Sequence, residues 1–216
     1  IAMKIKLVIF GILYRQFFKK ALFLIDAERV HTAFTRFGEM LGVISAGRTV
    51  TKKIFYIKPA PILSQNIAGI KCASPVGLAA GFDYEARLTQ ILPAIGFGWS
   101  TVGTITNMPY DGNPPPRLGR LPQSQSLWVN KGFKNFGAME TVKKLRGMPF
   151  EIPIGISLGK TNVPMNQKES VQDIVSAFSI FETSSCLHAY YELNISCPNL
   201  FGTVNFYSPH HLEELL

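Results

Sequence analysis

Cysteine is scarce: Cys72, Cys186 and Cys197 are the only three, and no two of them form a C-x-x-C pair. That spacing speaks against a structural zinc, an iron–sulfur cluster or a disulfide scaffold, so no metal site is expected and a reducing compartment is the default. Charge is also sparse. Charged residues make up 17% of the chain and hydrophobic ones 47%, which leaves ample material for a core and excludes disorder as the main description. A long apolar run is missing as well. Leu7 to Tyr14 is an apolar stretch of eight residues, well short of the roughly 18–20 that cross a bilayer. The Arg15-Gln-Phe-Phe-Lys-Lys20 that follows offers no small-residue cleavage site for a secretory signal.

Acidic residues are what the N-terminal quarter lacks. Residues 1–60 carry eleven Lys/Arg against three acids, whereas the other 156 residues carry eleven of each sign. The whole net charge of +8 therefore belongs to one segment that is also strongly apolar, and no nucleic-acid partner is expected. At helical spacing Leu13, Phe17, Ala21 and Leu24 form one apolar stripe, with Tyr14, Phe18, Leu22 and Ile25 beside it and Arg15, Lys19 and Lys20 at its edge. Asp26 is the expected N-cap of a second helix, with Val30, Phe34, Phe37 and Leu41 on one face and Gly42 as its stop. Two such helices suit the interface of an anionic membrane. The same pattern also describes a helical pair packed on its own domain with a solvated basic face. His31, inside the second helix, reads as a structural hydrogen bonder rather than a ligand.

From Thr49 onward the pattern changes to short β-rich segments. Lys53–Lys58 and Ile67–Cys72 are expected to pair as strands, broken by Pro59 and Pro61. Four buried strands are predicted at Val76–Ala80, Ser100–Thr106, Ile152–Leu158 and Tyr190–Cys197, with helices at Ala86–Ile95, Gly137–Leu145, Glu169–Phe181 and Pro209–Leu216. This alternation implies a parallel sheet of βα units. Each strand runs into a polar or glycine-rich loop, where such sheets place their chemistry. Gly112–Arg117, with three prolines, is a long irregular loop. Two nucleotide motifs fail. Gly155-Ile-Ser-Leu-Gly-Lys-Thr161 has three residues between its glycines instead of four, and Gly96-Phe-Gly98 lacks a third glycine and precedes its strand.

The loops, taken in order, are more specific. Ser74-Pro-Val-Gly-Leu-Ala-Ala-Gly-Phe-Asp83, Gly103-Thr-Ile-Thr106 with Gly112-Asn-Pro-Pro-Pro-Arg117, Ile156-Ser-Leu-Gly-Lys160 and Asn194-Ile-Ser-Cys-Pro-Asn199 together resemble the dihydroorotate dehydrogenases. The lead from Tyr14 to Gly42 resembles the extension of the quinone-using class 2 enzymes. The resemblance implies an α/β fold, a (β/α)8 TIM barrel of which the N-terminal half is present, preceded by a small helical segment. Residues 1–45 would form the membrane and quinone segment and 46–216 the half barrel. It further implies flavin mononucleotide (FMN) as cofactor, dihydroorotate and orotate as substrate and product in pyrimidine synthesis, a membrane quinone as electron acceptor, and a peripheral position on the cytoplasmic side of the membrane.

By that resemblance the base that removes the C5 proton is Cys197. A thiol of ordinary pKa needs only modest depression to supply thiolate. Asn130, Asn194 and Asn199 would read the pyrimidine ring, since an amide both donates and accepts, with Phe133 against it. Ala79, Ala80, Gly81, Thr104, Asn130, Ser157 and Asn194 would lie at the cofactor. Lys160 is either near the cofactor or a solvated surface lysine, and Cys72 and Cys186 are structural. Three departures matter. Tyr84 stands where class 2 enzymes carry lysine, and Ser157 where an asparagine is usual. Cys197 stands where class 2 enzymes use serine, which leaves a class 1-like enzyme using fumarate or NAD as an alternative. A chain starting at Ile1 and ending inside the 209–216 helix is expected to be an incomplete reading frame, so an inactive membrane-binding fragment is the other alternative.

Overall fold

The computed structural model describes residues 2–202 and 206–216. It opens with helix α1 (Ala2–Leu13), one π-helical turn (Tyr14–Phe18), α2 (Lys19–Phe23), α3 (Ala27–Val43) and α4 (Ser45–Phe55). Asp26 caps α3 as expected, its carboxylate accepting the Arg29 backbone N–H at 2.9 Å. Gly42 does not stop that helix. It is buried in the last turn against Gln90 and Ile91, and α3 ends only where Ile44 turns extended.

Of the apolar stripe of α3, Leu41 reaches the core but the phenylalanines do not. Ala27, Thr35 and Gly42 are buried and Gly38 faces Leu88, whereas Phe34 and Phe37 are each 55% exposed. These small residues share a face at helical spacing and let the helix backbone approach residues 88–91 closely; phenylalanines there would hold it away. Helix α3 thus packs on the rest of the chain, Leu41 reaching the core, while Phe34 and Phe37 stay exposed. A Cβ on Gly42 would come within 3.2 Å of the Ile91 backbone nitrogen. Gly42→Leu should therefore cost about 1–3 kcal/mol through overpacking, read as a lower thermal midpoint; an unchanged midpoint would mean that α3 does not bear on residues 88–91.

The expected strand at Lys53–Lys58 does not form. Helix α4 runs through Phe55 with Lys52 and Lys53 in its last turn, where cations face the negative end of the helix dipole. The antiparallel pair is instead β1 (Gln65–Ile67) and β2 (Ile70–Cys72), joined through Ala68 and Gly69, both at positive φ. Next come β3 (Gly77–Leu78), α5 (Leu92–Ile95), β4 (Trp99–Ile105), β5 (Leu118–Leu121) and β6 (Ser126–Val129). The chain continues with α6 (Ala138–Leu145), β7 (Ile154–Leu158), α7 (Gln167–Glu182), β8 (Tyr190–Leu193) and α8 (Pro209–Leu215). The helix expected over Ala86–Ile95 shrinks to α5. Asp83 accepts the backbone N–H of Arg87 at 2.7 Å and of Leu88 at 2.8 Å, and Ala86 has φ 52°, so residues 83–91 are held in turns instead.

Strands β3, β4, β7 and β8 form one parallel sheet in sequence order, as expected of the first four strands of a barrel. All five residues of β7 are buried, as in a parallel strand covered on both faces. Val102, Ile105, Ile154, Ile156 and Leu158 of the sheet pack with Val142, Leu145, Ala177 and Phe181 of α6 and α7. The β5–β6 hairpin was not legible beforehand: its strands are short, largely exposed and without alternation.

Candidate active site

A cavity of about 300 Å³ lies where the strands give way to loops. Ala80 and Gly81 after β3, Gly103 and Thr104 in β4, and Asn194 with residues 196–199 after β8 contribute to its walls, together with Val129 and residues 131–134 that leave β6. Of the residues singled out by sequence, Ala80, Gly81, Thr104, Phe133, Asn194, Cys197 and Asn199 are brought together here. Ala79, Asn130 and Ser157 lie outside the lining. Ser157 sits fully buried beneath it, its hydroxyl 3.1 Å from that of Thr104. The Asn130 side-chain oxygen is taken up by the Asn113 amide at 2.8 Å. Lys160 is neither solvated nor in the cavity: it is 3% exposed and its ammonium donates to the carbonyls of Thr161 and Val163.

The polar floor is tied together. Asn194 Nδ2 donates to Thr104 Oγ1 at 2.7 Å, and Asn194 Oδ1 accepts the Ser196 N–H at 3.3 Å, so the amide is fixed in orientation between β4 and the loop carrying Cys197. Cys197 departs from expectation in one respect. Burial pushes its thiol up rather than down, and the opposing influence is one backbone N–H, that of Asn199. The thiol is the resting form at neutral pH.

Two asparagines that sequence reading passed over organise the loops. Asn113 donates to Asn130 Oδ1 at 2.8 Å and to the Asn199 carbonyl at 2.9 Å, and accepts from Tyr110 Oη at 2.7 Å and Asn162 Nδ2 at 2.9 Å. Asn135 is likewise saturated. Its Oδ1 accepts the N–H of Thr106 (3.2 Å) and of Gly137 (2.6 Å), while its Nδ2 donates to Thr106 Oγ1 and the Phe133 carbonyl, both at 2.7 Å. These bonds hold Phe133 at φ 63°, a left-handed conformation that costs an L-residue roughly 1–2 kcal/mol. Gly132 precedes it at φ 65°, and a Cβ there would collide with the amides of Asn113 and Asn162.

The cations of the cavity were also missed, although two lysines within four residues, Lys131 and Lys134, flank Phe133. Lys134 lies 3.8 Å from Glu28, a carboxylate that also accepts from Arg117 at 3.0 Å. Lys131 donates instead to Tyr84 Oη at 2.9 Å, with its ammonium 4.2 Å from the centre of the Tyr84 ring. Tyr84 stacks on His31 of α3 (5.5 Å, 14°), and His31 Nε2 donates to the Phe82 carbonyl at 2.9 Å, the structural role expected of it. Burial pushes Lys131 down to about 8 and Tyr84 up to about 12, and lowers His31 from its ordinary value.

A family model described as dihydroorotate dehydrogenase matches residues 62–216. A relative from Corynebacterium diphtheriae, named dihydroorotate dehydrogenase (quinone), is 36% identical over 183 residues, covering 85% of this chain and 49% of its own length. One of the same name from Chloroflexus aurantiacus is 35% identical over 211 residues, covering 95% of this chain and 56% of its own. Among solved structures, a dihydroorotate dehydrogenase of Eimeria tenella in complex with ferulenol superposes with a TM-score of 0.69 at 26% identity, over 88% of this chain and 49% of that one. The chain spans about half the length of the curated relatives it matches.

Proposed function

Because the chain belongs to the dihydroorotate dehydrogenase family and is an α/β portion of that barrel, we propose that the whole protein oxidises dihydroorotate to orotate, with FMN as hydride acceptor and a membrane quinone as final electron acceptor. The observation that carries this reading is the convergence of Thr104, Phe133, Asn194, Cys197 and Asn199 on one cavity from segments up to 95 residues apart.

The residues fit the ring portion of a flavin. Ala80, Gly81 and Gly103 make a wall almost free of side chains, and a Cβ on Gly81 would point into open space, so a flat ring can lie directly against the backbone. They do not fit its phosphate: no helix N-terminus or glycine nest lies among the described residues lining the cavity. Bound here, the flavin would take the hydride from C6 of the substrate.

The chain's own groups supply the rest. Cys197 Sγ, once ionised to the thiolate, takes the C5 proton and returns to the thiol, so that the electrons of that C–H bond form the C5–C6 double bond as the hydride departs from C6. Asn194 and Asn199 pair with the ring's donors and acceptors, and Phe133 packs against it and excludes water. Thr104, anchored by Ser157, keeps the Asn194 amide in register.

We further place residues 1–45 against the cytoplasmic face of an anionic membrane. Phe17 and Phe18 are 67% and 61% exposed beside Arg15, Lys19 and Lys20, and none of the described helices is long and apolar enough to cross a bilayer. Such an element lies in the interface.

The test is a flavin titration of the full-length protein, followed by anaerobic addition of dihydroorotate while the flavin absorbance is recorded. Stoichiometric binding and bleaching are expected, with turnover faster with a quinone than with fumarate or NAD. A flavin-loaded protein left unbleached would overturn the reading, and a preference for fumarate or NAD would replace its acceptor. The same titration on the 216-residue chain shows whether this portion binds flavin without the remainder.

A further inference from the structure

The cavity holds two lysines in different states. Lys134 already faces the Glu28 carboxylate, 3.8 Å away, and that carboxylate is also bound by Arg117. Lys131 has no carboxylate within ion-pair distance among the described residues; its partners are the phenol and the ring face of Tyr84. The Tyr84 phenol is neutral, and its own ring is clamped against His31, so the lysine is fixed without being neutralised. An ammonium held in this way at a cavity wall, with no carboxylate paired to it among the described residues, is set to form a charge-assisted hydrogen bond with a carboxylate brought by a ligand.

We infer that Lys131, braced by Tyr84, is the cation by which this cavity recognises a carboxylate on its ligand. Tyr84 and Lys131 are 47 positions apart in the sequence, and the bond between their side chains sets the charge at the cavity wall. The rest of the surroundings agrees. Glu28 and Glu85 draw Lys131 toward its charged form, whereas burial, Lys134 and Arg117 oppose it; the outcome, about 8, leaves the ammonium charged in neutral solution. A primary amine with three donors can bond a carboxylate while keeping its bond to Tyr84. The inference rests on the dihydroorotate reading only for the identity of the ligand that bears the carboxylate.

The experiment combines amine labelling at Lys131, followed by peptide mass spectrometry, with equilibrium dialysis. Both are run on the full-length protein with orotate, benzoate and uracil as probes. Orotate and benzoate should slow labelling of Lys131 while uracil, which lacks the carboxylate, should not. Orotate should bind at least about tenfold more weakly to Lys131→Met than to Lys131→Arg or wild type, with uracil binding equal in all three. Protection by benzoate but not by orotate would uphold the carboxylate site and overturn the dihydroorotate reading. Orotate binding that is equal in wild type and Lys131→Met, without protection of the lysine, would overturn the inference and leave that reading standing. If no carboxylate protects Lys131, the inference falls.

Discussion

Cys197→Ala should lower the rate of flavin reduction by dihydroorotate about 10²–10⁴-fold, the range that a positioned general base contributes, while flavin affinity stays within about twofold. The measurement is anaerobic stopped-flow on the full-length, flavin-loaded protein. The separation is expected because the flavin would lie against Ala80, Gly81 and Gly103, and Cys197 comes from the loop after β8. Burial pushes the thiol up, which gives the wild-type enzyme a pH signature. Below the thiol's raised value the thiolate fraction grows tenfold per pH unit, so the reduction rate should climb through the neutral range and level off only above an ordinary cysteine pKa. The alanine variant should show no such climb. An unchanged reduction rate in Cys197→Ala would remove the residue from the chemistry.

Asn135→Asp should be the most damaging change away from the reacting groups. Both N–H donors of the amide become acceptors, facing Thr106 Oγ1 and the Phe133 carbonyl, and a carboxylate appears at a site that is 3% exposed. Leaving buried groups unpaired costs about 1–3 kcal/mol each, so a loss of about 3 kcal/mol is expected. At roughly 2–4 °C per kcal/mol for a chain of this size, the thermal midpoint falls by roughly 6–12 °C. The charge is the larger part of the insult. A buried carboxylate has its pKa raised, so the variant should recover stability as the pH falls and the group becomes neutral, with one O–H donor restored. A loss below about 2 °C, or none of this recovery, would show that the Phe133 loop does not depend on the Asn135 amide.

What the sequence made legible follows from how much of each signal is local. The strands β4 and β7 are short runs without a charged residue in which nearly every residue is buried, and the N-cap of α3 is a one-residue event at Asp26. Ordered loop motifs carried the family and most of the cavity lining. The failures have a tertiary origin. Pattern reading aimed α3 by its phenylalanines, yet its partner at residues 88–91 admits only small residues. The helix expected from Ala86 lost to a single carboxylate, Asp83, that takes two backbone N–H groups. The thiol of Cys197 is expected from the resemblance to be depressed, but burial raises it and, among the described residues, only the Asn199 backbone N–H opposes that. Lys131 escaped notice because its meaning lies in a contact with Tyr84, 47 positions away in the sequence.

The stack of His31 on Tyr84 joins helix α3 to the cavity through two contacts, one to the Phe82 carbonyl and one to the ring that steadies Lys131. Position along this chain of contacts is a shared variable. If a lipid surface prefers one seat of α3 over another, and a carboxylate ligand prefers one seat of Tyr84, the two preferences are a single coupling free energy seen from two ends. Ligand affinity measured on vesicles and in free solution would then differ by the same factor as vesicle affinity measured with and without ligand.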